Sequence, residues 1–531
     1  MAIEISGTTV IDDSRNVTDV ENVGLSTTVY YGDGSNLTGI SAGSASFTAS
    51  GAISNGDPVV INSNGTVSGI ARTGDSKPSA STPVTFEDGT VPSGGAVAYH
   101  PDTGKFVIAY QDQDDSNKGK AVIATVSGND VTFTEPTIFH SGSTDEYMDI
   151  TYVSDGGKIV VTYVDSGESS KGRAVVGTLS SAGDTISFGN ETTFNNNFTG
   201  SNSVCYDTAK KRLMIAFKNN GNNEYGTAIA GEVDGTSISY NSSYQFKSNK
   251  TDNIKIVYEP VAERSVIFYK DFQNGNSGSE RGACCTAVAD PDNYNAISFG
   301  SINFFNGSSA HQNTGAAYDP DSGKIIVAYK GYSSGNKSRA RTVTVSGDTL
   351  SFGTESEFDT TDNREDVVVY SSLEQKALIA YRDGSDSNKG KMVSATVTGT
   401  AITFSNDVTF EDGAAVRIFG DYDSATGKIL LAYKDDDESN DIGKAVVVNT
   451  DGRTTNLTAE NYIGIAAEAI SNGSSGSITI AGGTNTGVSG LSTGTKTFVT
   501  RDGTFSTTAE IPSVVAGTAS SDTKIVVRTL S

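Results

Sequence analysis

Residues 314–358 read TGAAYDPDSGKIIVAYKGYSSGNKSRARTVTVSGDTLSFGTESEF, and this stretch decides the fold. Four short runs rich in Val, Ile, Thr, Ala and aromatic residues are separated by DPDSG, KGYSSGNKS and SGD. Each separator carries Gly, Asp, Asn or Ser, which accept positive φ or bond their own backbone and so make tight turns. Four strands joined by such turns form an antiparallel meander. The run KIIVAY is apolar at both alternating positions, as is KFVIAY at 105–110. Both faces of the sheet are therefore predicted to be covered.

Outward from this stretch the same register recurs seven times. A first aromatic stands at Tyr99, Tyr152, Tyr206, Tyr258, Tyr318, Tyr370 and Tyr422. Six residues on there is a cation: Lys105, Lys158, Arg212, Arg264, Lys324, Lys376, Lys428. Eleven residues on comes a second aromatic: Tyr110, Tyr163, Phe217, Tyr269, Tyr329, Tyr381, Tyr433. A fixed period of roughly 50 residues marks a repeat architecture, and a four-stranded repeat of that size suits a propeller blade.

The ends of the array favour a closed ring over a linear stack. Every repeat but the last finishes on an outer aromatic: Phe139, Phe194, Phe246, Phe305, Phe358, Phe410. The last stops at GKAVVVNTDGRTTN, and VTFEDG at 84–89 repeats 408–413 letter for letter. The closing strand near 83–88 is thus expected to complete the seventh blade and to remove the unpaired edge that an open stack leaves. The fold class expected is all-β, a seven-bladed β-propeller of four-stranded antiparallel blades inserted in a small split β-domain. The boundaries expected are an extended N-terminal segment at 1–44, the two parts of the split domain at 45–71 and 458–531, and the propeller at 72–457.

Length alone, 531 residues, suggests three or four domains, a prior that the repeat overrides. The net charge of −25 argues against a nucleic-acid partner, since phosphate binding rests on Lys and Arg. It argues equally against an anionic membrane surface. Three cysteines, two of them adjacent, make no disulfide scaffold. The opening MAIEISGTT has neither a basic region nor an apolar core, so no signal peptide is expected. No apolar run is long enough to span a bilayer, and no membrane insertion is expected.

The flanks are short alternating apolar segments cut by Asn-Gly, Asp-Gly and Gly-Gly turns, and read as strands. A closed ring brings its two ends together, so the flanks are expected to join as one domain. SNGDPVVINSNGTVSGI at 54–70, with YIGIAAEAISNGSSGSITI at 462–480 and SGLSTGTKTFVTRDGTFST at 489–507, resembles a terminal β-module of bacteriophage fibre and other virion structural proteins. GTTVIDDSRNVTDVENVG at 7–24, followed by YYGDGSNLTGIS, is similar to the N-terminal segments of virion fibre proteins, notably of phages infecting cyanobacteria. The resemblance covers about a quarter of the chain and none of the repeats. It implies a virion location after synthesis in the host cytoplasm, other virion proteins as partners, and a homo-oligomer, in fibres often a trimer. Val10, Val17, Val20, Val23 and Leu25 offer too little apolar mass to fold alone, so this segment is expected to need identical neighbours or a docking partner.

Catalytic signatures are missing. No pair of carboxylates stands out for glycoside hydrolysis, and without Trp the chain holds neither the aspartate box of sialidase-like propellers nor WD-type blades. His100, His140 and His311 are far apart, and no phosphate loop, Ser-His-Asp set or tight metal spacing occurs. No enzyme and no catalytic residue are expected. The loops after the second aromatic, QDQDDSN with Asp112 and Asp114 and KDDDESND with Asp435 and Asp437, alternate carboxylates as a calcium loop begins. Its Gly at the sixth and Glu at the twelfth position are absent, so a solvated turn is the expected reading, calcium is the alternative, and no cofactor is expected. The regular cations are expected to pair with the preceding turn's carboxylate or to shield the strand end, or else to ring a channel mouth and attract an anionic glycan.

Loops between the second and third strands share a face with the inter-blade connections, which vary freely between repeats. Variable loops on a rigid frame carry recognition, and Tyr147, Phe198, His311 and Asn313 are the ligand candidates there. The expected function is a tail fibre or similar virion appendage whose propeller adheres to host-surface polysaccharide. A capsid or tail decoration protein and a polysaccharide depolymerase are the alternatives.

Overall fold

The computed structural model describes residues 3–5, 8–11, 43–91, 94–272, 280–290, 296–306, 311–331, 337–360, 363–436 and 441–528, with the backbone alone at 3–5, 8–11, 311–313 and 363–366. The chain is all-β. Its described residues form strands joined by turns, with single 3-10 turns at Ser166–Glu168 and Asn220–Asn222.

In the first repeat Gly95–His100, Lys105–Asp112 and Lys118–Ser127 pair antiparallel in that order. The sequence suggests one outer strand, but the edge is divided. Asp130–Phe133 pairs with one half of Lys118–Ser127, and Thr137–His140 pairs with the other half across a register slip. Divided edges follow the twist of a long third strand and leave less open ladder.

The pattern recurs along the chain. Thr192–Asp207, Tyr244–Glu259 and Val408–Asp423 each run from the outer edge of one sheet into the innermost position of the next. In the last sheet Val408–Asp423, Lys428–Asp435 and Gly443–Asn449 lack a downstream outer strand. Two upstream pieces occupy that edge: Ala80 pairs with Val448, and Val84, Thr85 and Glu87 pair with Ala445, Lys444 and Gly443. The innermost strands touch in succession, and Val408–Asp423 touches Gly95–His100, which joins last to first.

Seven apolar clusters fill the spaces between successive sheets, among them Val107, Ile159 and Val161 between the first two and Ile108, Leu430 and Val447 between last and first. This is why strands such as KFVIAY are apolar on both faces. The two regular aromatics sit at the same joints. Each outer Phe packs on the second aromatic of the following sheet, as in Phe139–Tyr163, Phe194–Phe217 and Phe410–Tyr433, with centroids 5.2–5.3 Å apart. The first aromatic reaches back to the preceding sheet's first turn: Tyr152 Oη donates to Asp102 at 2.8 Å, and Tyr422 Oη accepts from Leu373 N–H at 3.0 Å.

The flanks pair with each other. Ser44–Thr48, Pro58–Ile61 and Val67–Gly69 share one sheet with Tyr462–Ala466 and Ser475–Thr479. Strands within 484–527 form a second sheet. Val60 and Ile70 from upstream share a core with Ile465, Val499 and Ile525 from downstream. A buried ion network ties these sheets to the sixth repeat's first turn. Arg72 donates to Glu374 at 2.9 Å, Arg501 pairs with the same carboxylate, and Lys376 donates to Asp451 at 2.7 Å. Burial opposes ionisation of Asp451, but hydrogen bonds from Arg453 and Lys376 hold its carboxyl well below the usual carboxylate range. Near the start, Ile3–Ile5 pairs with Thr8–Ile11, and the rest of the expected N-terminal segment up to residue 42 lies outside the described residues.

Candidate functional site

The innermost strands of all seven repeats surround a central channel of about 620 Å³. Its walls are unequal. The second to fourth repeats contribute Tyr147, Asp149, Ser201, Asn202, Ser203, Asn253 and Lys255. The others contribute mostly small or apolar residues, including Ala96, Gly315, Val367 and Phe419.

Innermost strands leave one row of backbone N–H groups without a neighbouring strand, and buried donors need partners. Side chains supply them. Asp149 Oδ2 accepts from Val204 N–H at 3.0 Å and Ser203 Oγ–H at 2.6 Å, and Ser203 Oγ accepts from Ile256 N–H at 3.2 Å. Asp421 accepts from Tyr99 N–H at 2.7 Å and Tyr422 N–H at 2.8 Å. Burial pushes the Asp421 carboxyl up to about 6, against the pull of those two N–H groups. These carboxylates hold neighbouring strands together.

At the mouth on the connection side, six innermost strands slip register: at Thr144/Met148, Thr199/Asn202, Asp252/Lys255, Gln312/Thr314, Arg364/Val367 and Val416/Phe419. Such bulges re-aim side chains. Here they bring Glu146, Tyr147, Ser201, Asn253 and Arg417 to the channel lining. Asn253 and Arg417 adopt φ of 48° and 54°, a left-handed conformation unusual for a residue with a side chain. Arg417 Nη2 donates to Glu146 Oε2 at 2.6 Å, linking the seventh repeat to the second.

Of the ligand candidates read from sequence, Tyr147 lines this mouth, and burial beside Glu146 raises its phenol above the ordinary range. Phe198 is 49% exposed, opposite Lys171, and stands outside the channel lining. His311 and Asn313 lie in the strand His311–Asp319, Asn313 at the register slip, with only their backbone described. The mouth residues Glu146, Asn253 and Arg417 carry no signal in the sequence, because a bulge adds a residue to what reads as a polar connection.

The acidic loops turn their carboxylates to lysines. Asp112 Oδ2 receives Lys120 Nζ at 2.5 Å, Asp383 receives Lys391 at 2.7 Å, and Asp435 pairs with Lys444. Asp114 accepts from Thr90 N–H at 2.9 Å, and Asp437 lies outside the described residues. Among the described residues no three acidic, His or Cys side chains converge as metal ligands. Carbonyls of these loops instead hold the connections that follow: Asn117 accepts from Thr144 N–H at 2.8 Å and Ser170 from Thr199 N–H at 2.8 Å.

The regular cations correct the expectation in two ways. The preceding turn's carboxylate caps its own turn, as Asp423 does for Ala425 and Thr426 N–H. Lys105, Lys158 and Lys428 reach the third strand directly opposite, at Thr125 (2.9 Å), Thr178 (2.9 Å) and Asn449 (2.6 Å), whereas Lys324 donates to the Ser322 carbonyl of its own turn at 2.8 Å, Arg264 to Asp348 at 2.7 Å and Lys376 to Asp451 at 2.7 Å. None of the seven lines the channel. They open second strands, one strand removed from the axis.

No protein-family model matches the chain, and no curated protein matches it. Among solved structures it is similar to a protein of unknown function from Dyadobacter fermentans, at 10% identity over 70% of this chain and 99% of that one, with a TM-score of 0.43. An ulvan lyase of a polysaccharide lyase family matches at 13% identity over 71% and 98%, TM-score 0.44. A lectin of Aleuria aurantia matches at 12% over 61% and 98%, TM-score 0.39. Likeness this distant carries no argument about activity.

Proposed function

We propose that this protein is a virion appendage of the fibre type, in which a seven-bladed β-propeller is inserted in a split β-domain and recognises a host-surface glycan at its channel mouth. The observation that carries the recognition part is the mouth itself: successive bulges aim Tyr147, Ser201, Asn253 and Arg417 at one opening with polar and apolar walls. Sugars present polar edges and apolar faces, and a cleft with a few placed polar groups on an apolar lining suits them. Asp149 and Asp421 serve strand N–H groups, which supports binding over hydrolysis. The resemblance of both flanks to virion fibre proteins supports the appendage part.

Geometry supports outward presentation. The paired flanks dock on the first-turn side of the ring through Arg501, which reaches Glu374 and the Leu373 carbonyl, and the mouth opens on the connection side. The test incubates full-length protein and its Tyr147→Ala variant with extracted cyanobacterial surface polysaccharide. Retention of the parent chain and at least tenfold weaker retention of the variant is the expected result. Equal retention of both removes the mouth from the proposal.

A further inference from the structure

The mouth also states what charge its ligand carries, an inference that rests on the recognition reading above. Three carboxylates, Glu146, Asp149 and Asp421, and two cations, Lys255 and Arg417, line the channel among the described residues. Both cations already have acidic partners from other repeats: Arg417 pairs with Glu146 at 2.6 Å and Lys255 with Asp149 at 3.4 Å. Among the described residues no surplus of positive charge lines the channel, and a chain of net charge −25 repels polyanions at a distance.

The Glu146–Arg417 pair is built for another partner. It crosses the first repeat, the one whose innermost strand shows no register slip. Passage is possible because that strand begins with glycines. A Cβ on Gly94 would lie 3.1 Å from Glu146, and one on Gly95 would lie 2.7 Å from the Phe419 ring. Arg417 is held with positive φ, a strained state that persists only where surrounding structure imposes it and that concentrates at ligand sites. The pair remains accessible, with side-chain exposures of 38% for Arg417 and 31% for Glu146. A guanidinium beside a carboxylate offers fixed donors next to fixed acceptors. Two neighbouring hydroxyls, each both donor and acceptor, match that arrangement.

We propose that the channel mouth binds an uncharged saccharide, with the Glu146–Arg417 pair gripping two adjacent ring hydroxyls and Tyr147 lying beside the ring. Polyanionic glycans are excluded. The test applies full-length protein to an immobilised array holding neutral, uronate-bearing and sulfated glycans, together with the Glu146→Gln and Arg417→Asn variants. Asparagine tolerates positive φ, so the second variant keeps the bulge. The expected result is binding confined to neutral glycans, about tenfold or more weaker in both variants, and changed less than about twofold between low and high salt. Preferred binding of uronate-bearing or sulfated glycans overturns the proposal and leaves glycan recognition standing. Neutral binding unchanged in both variants overturns the assignment of the pair. Absence of binding to every glycan overturns this inference and the recognition reading together.

Discussion

The ring of Phe86 packs edge-on against that of Tyr110, with centroids 5.4 Å apart and planes at 68°, and Tyr110 Oη donates to the adjoining Glu87 at 2.7 Å. Phe86 lies upstream of the first repeat, yet its strand is the outer edge of the last sheet, so this contact joins the last sheet to the first. It has the same form as Phe139–Tyr163 and Phe410–Tyr433 elsewhere. Closure therefore uses the contact that stacks every other pair of sheets.

Truncating Phe86 to Ala is expected to cost about 2–3 kcal/mol, below the usual range for a fully buried Phe because this ring is half-buried. Chemical denaturation measures it. A Cβ on Gly443 would stand 2.5 Å from the Phe86 ring. Gly443→Ala should destabilise alone and much less beside Phe86→Ala, a coupling that a double-mutant cycle reads directly.

Glu374 carries Arg72 and Arg501 in a joint where their side chains are 5% and 10% exposed. Glu374→Ala removes the carboxylate that two buried guanidinium groups share, leaving Arg72 with Asp451 at 3.6 Å and Arg501 with Glu510 at 3.3 Å, and is expected to cost about 3 kcal/mol. Small-angle scattering should show a longer maximum dimension as the flank sheets detach from the ring. An unchanged scattering profile would show that the apolar contacts alone hold the joint.

Asp421 is expected to make stability fall as pH rises from about 4 to about 6. Its folded-state value of about 6 lies above that of an unfolded aspartate, near 4, so the folded chain binds more protons across this window. Asp421→Asn should abolish that slope in denaturation curves. Asp451 acts with the opposite sign: its depressed value contributes stability above about pH 4 that is lost on further acidification.

Chelation with EDTA is expected to leave the melting temperature unchanged within about 1 °C, because Lys120, Lys391 and Lys444 neutralise Asp112, Asp383 and Asp435. Asp383→Asn, by contrast, is expected to cost about 3 kcal/mol by leaving Lys391 without its most buried partner. A melting point raised by calcium would contradict both expectations.

Much of this architecture is legible without coordinates. The all-β class, the repeated register and the strand limits follow from alternation and turn residues, and the copied VTFEDG points to the upstream strand that now lies beside Gly443–Ala445. The site was less legible. Tyr147 lines the channel mouth while Phe198 stands apart from the channel, and of the aspartates that look like a calcium loop Asp112 and Asp435 pair with lysines and Asp114 accepts from a backbone N–H. Lys120 and Lys444 are eight or nine residues downstream of Asp112 and Asp435, opposite them only once the second and third strands pair.

Local spacing alone determined which segments become strands, since period-two burial and turn chemistry act within a few residues. Tertiary structure alone decided which residues meet at the axis. Glu146 and Arg417 are separated by 271 residues and share an opening because the bulges at Thr144/Met148 and Val416/Phe419, with Gly94 and Gly95 between them, let three innermost strands approach. A single sequence does not encode bulge placement in any local pattern, because the extra residue is selected by packing across the ring.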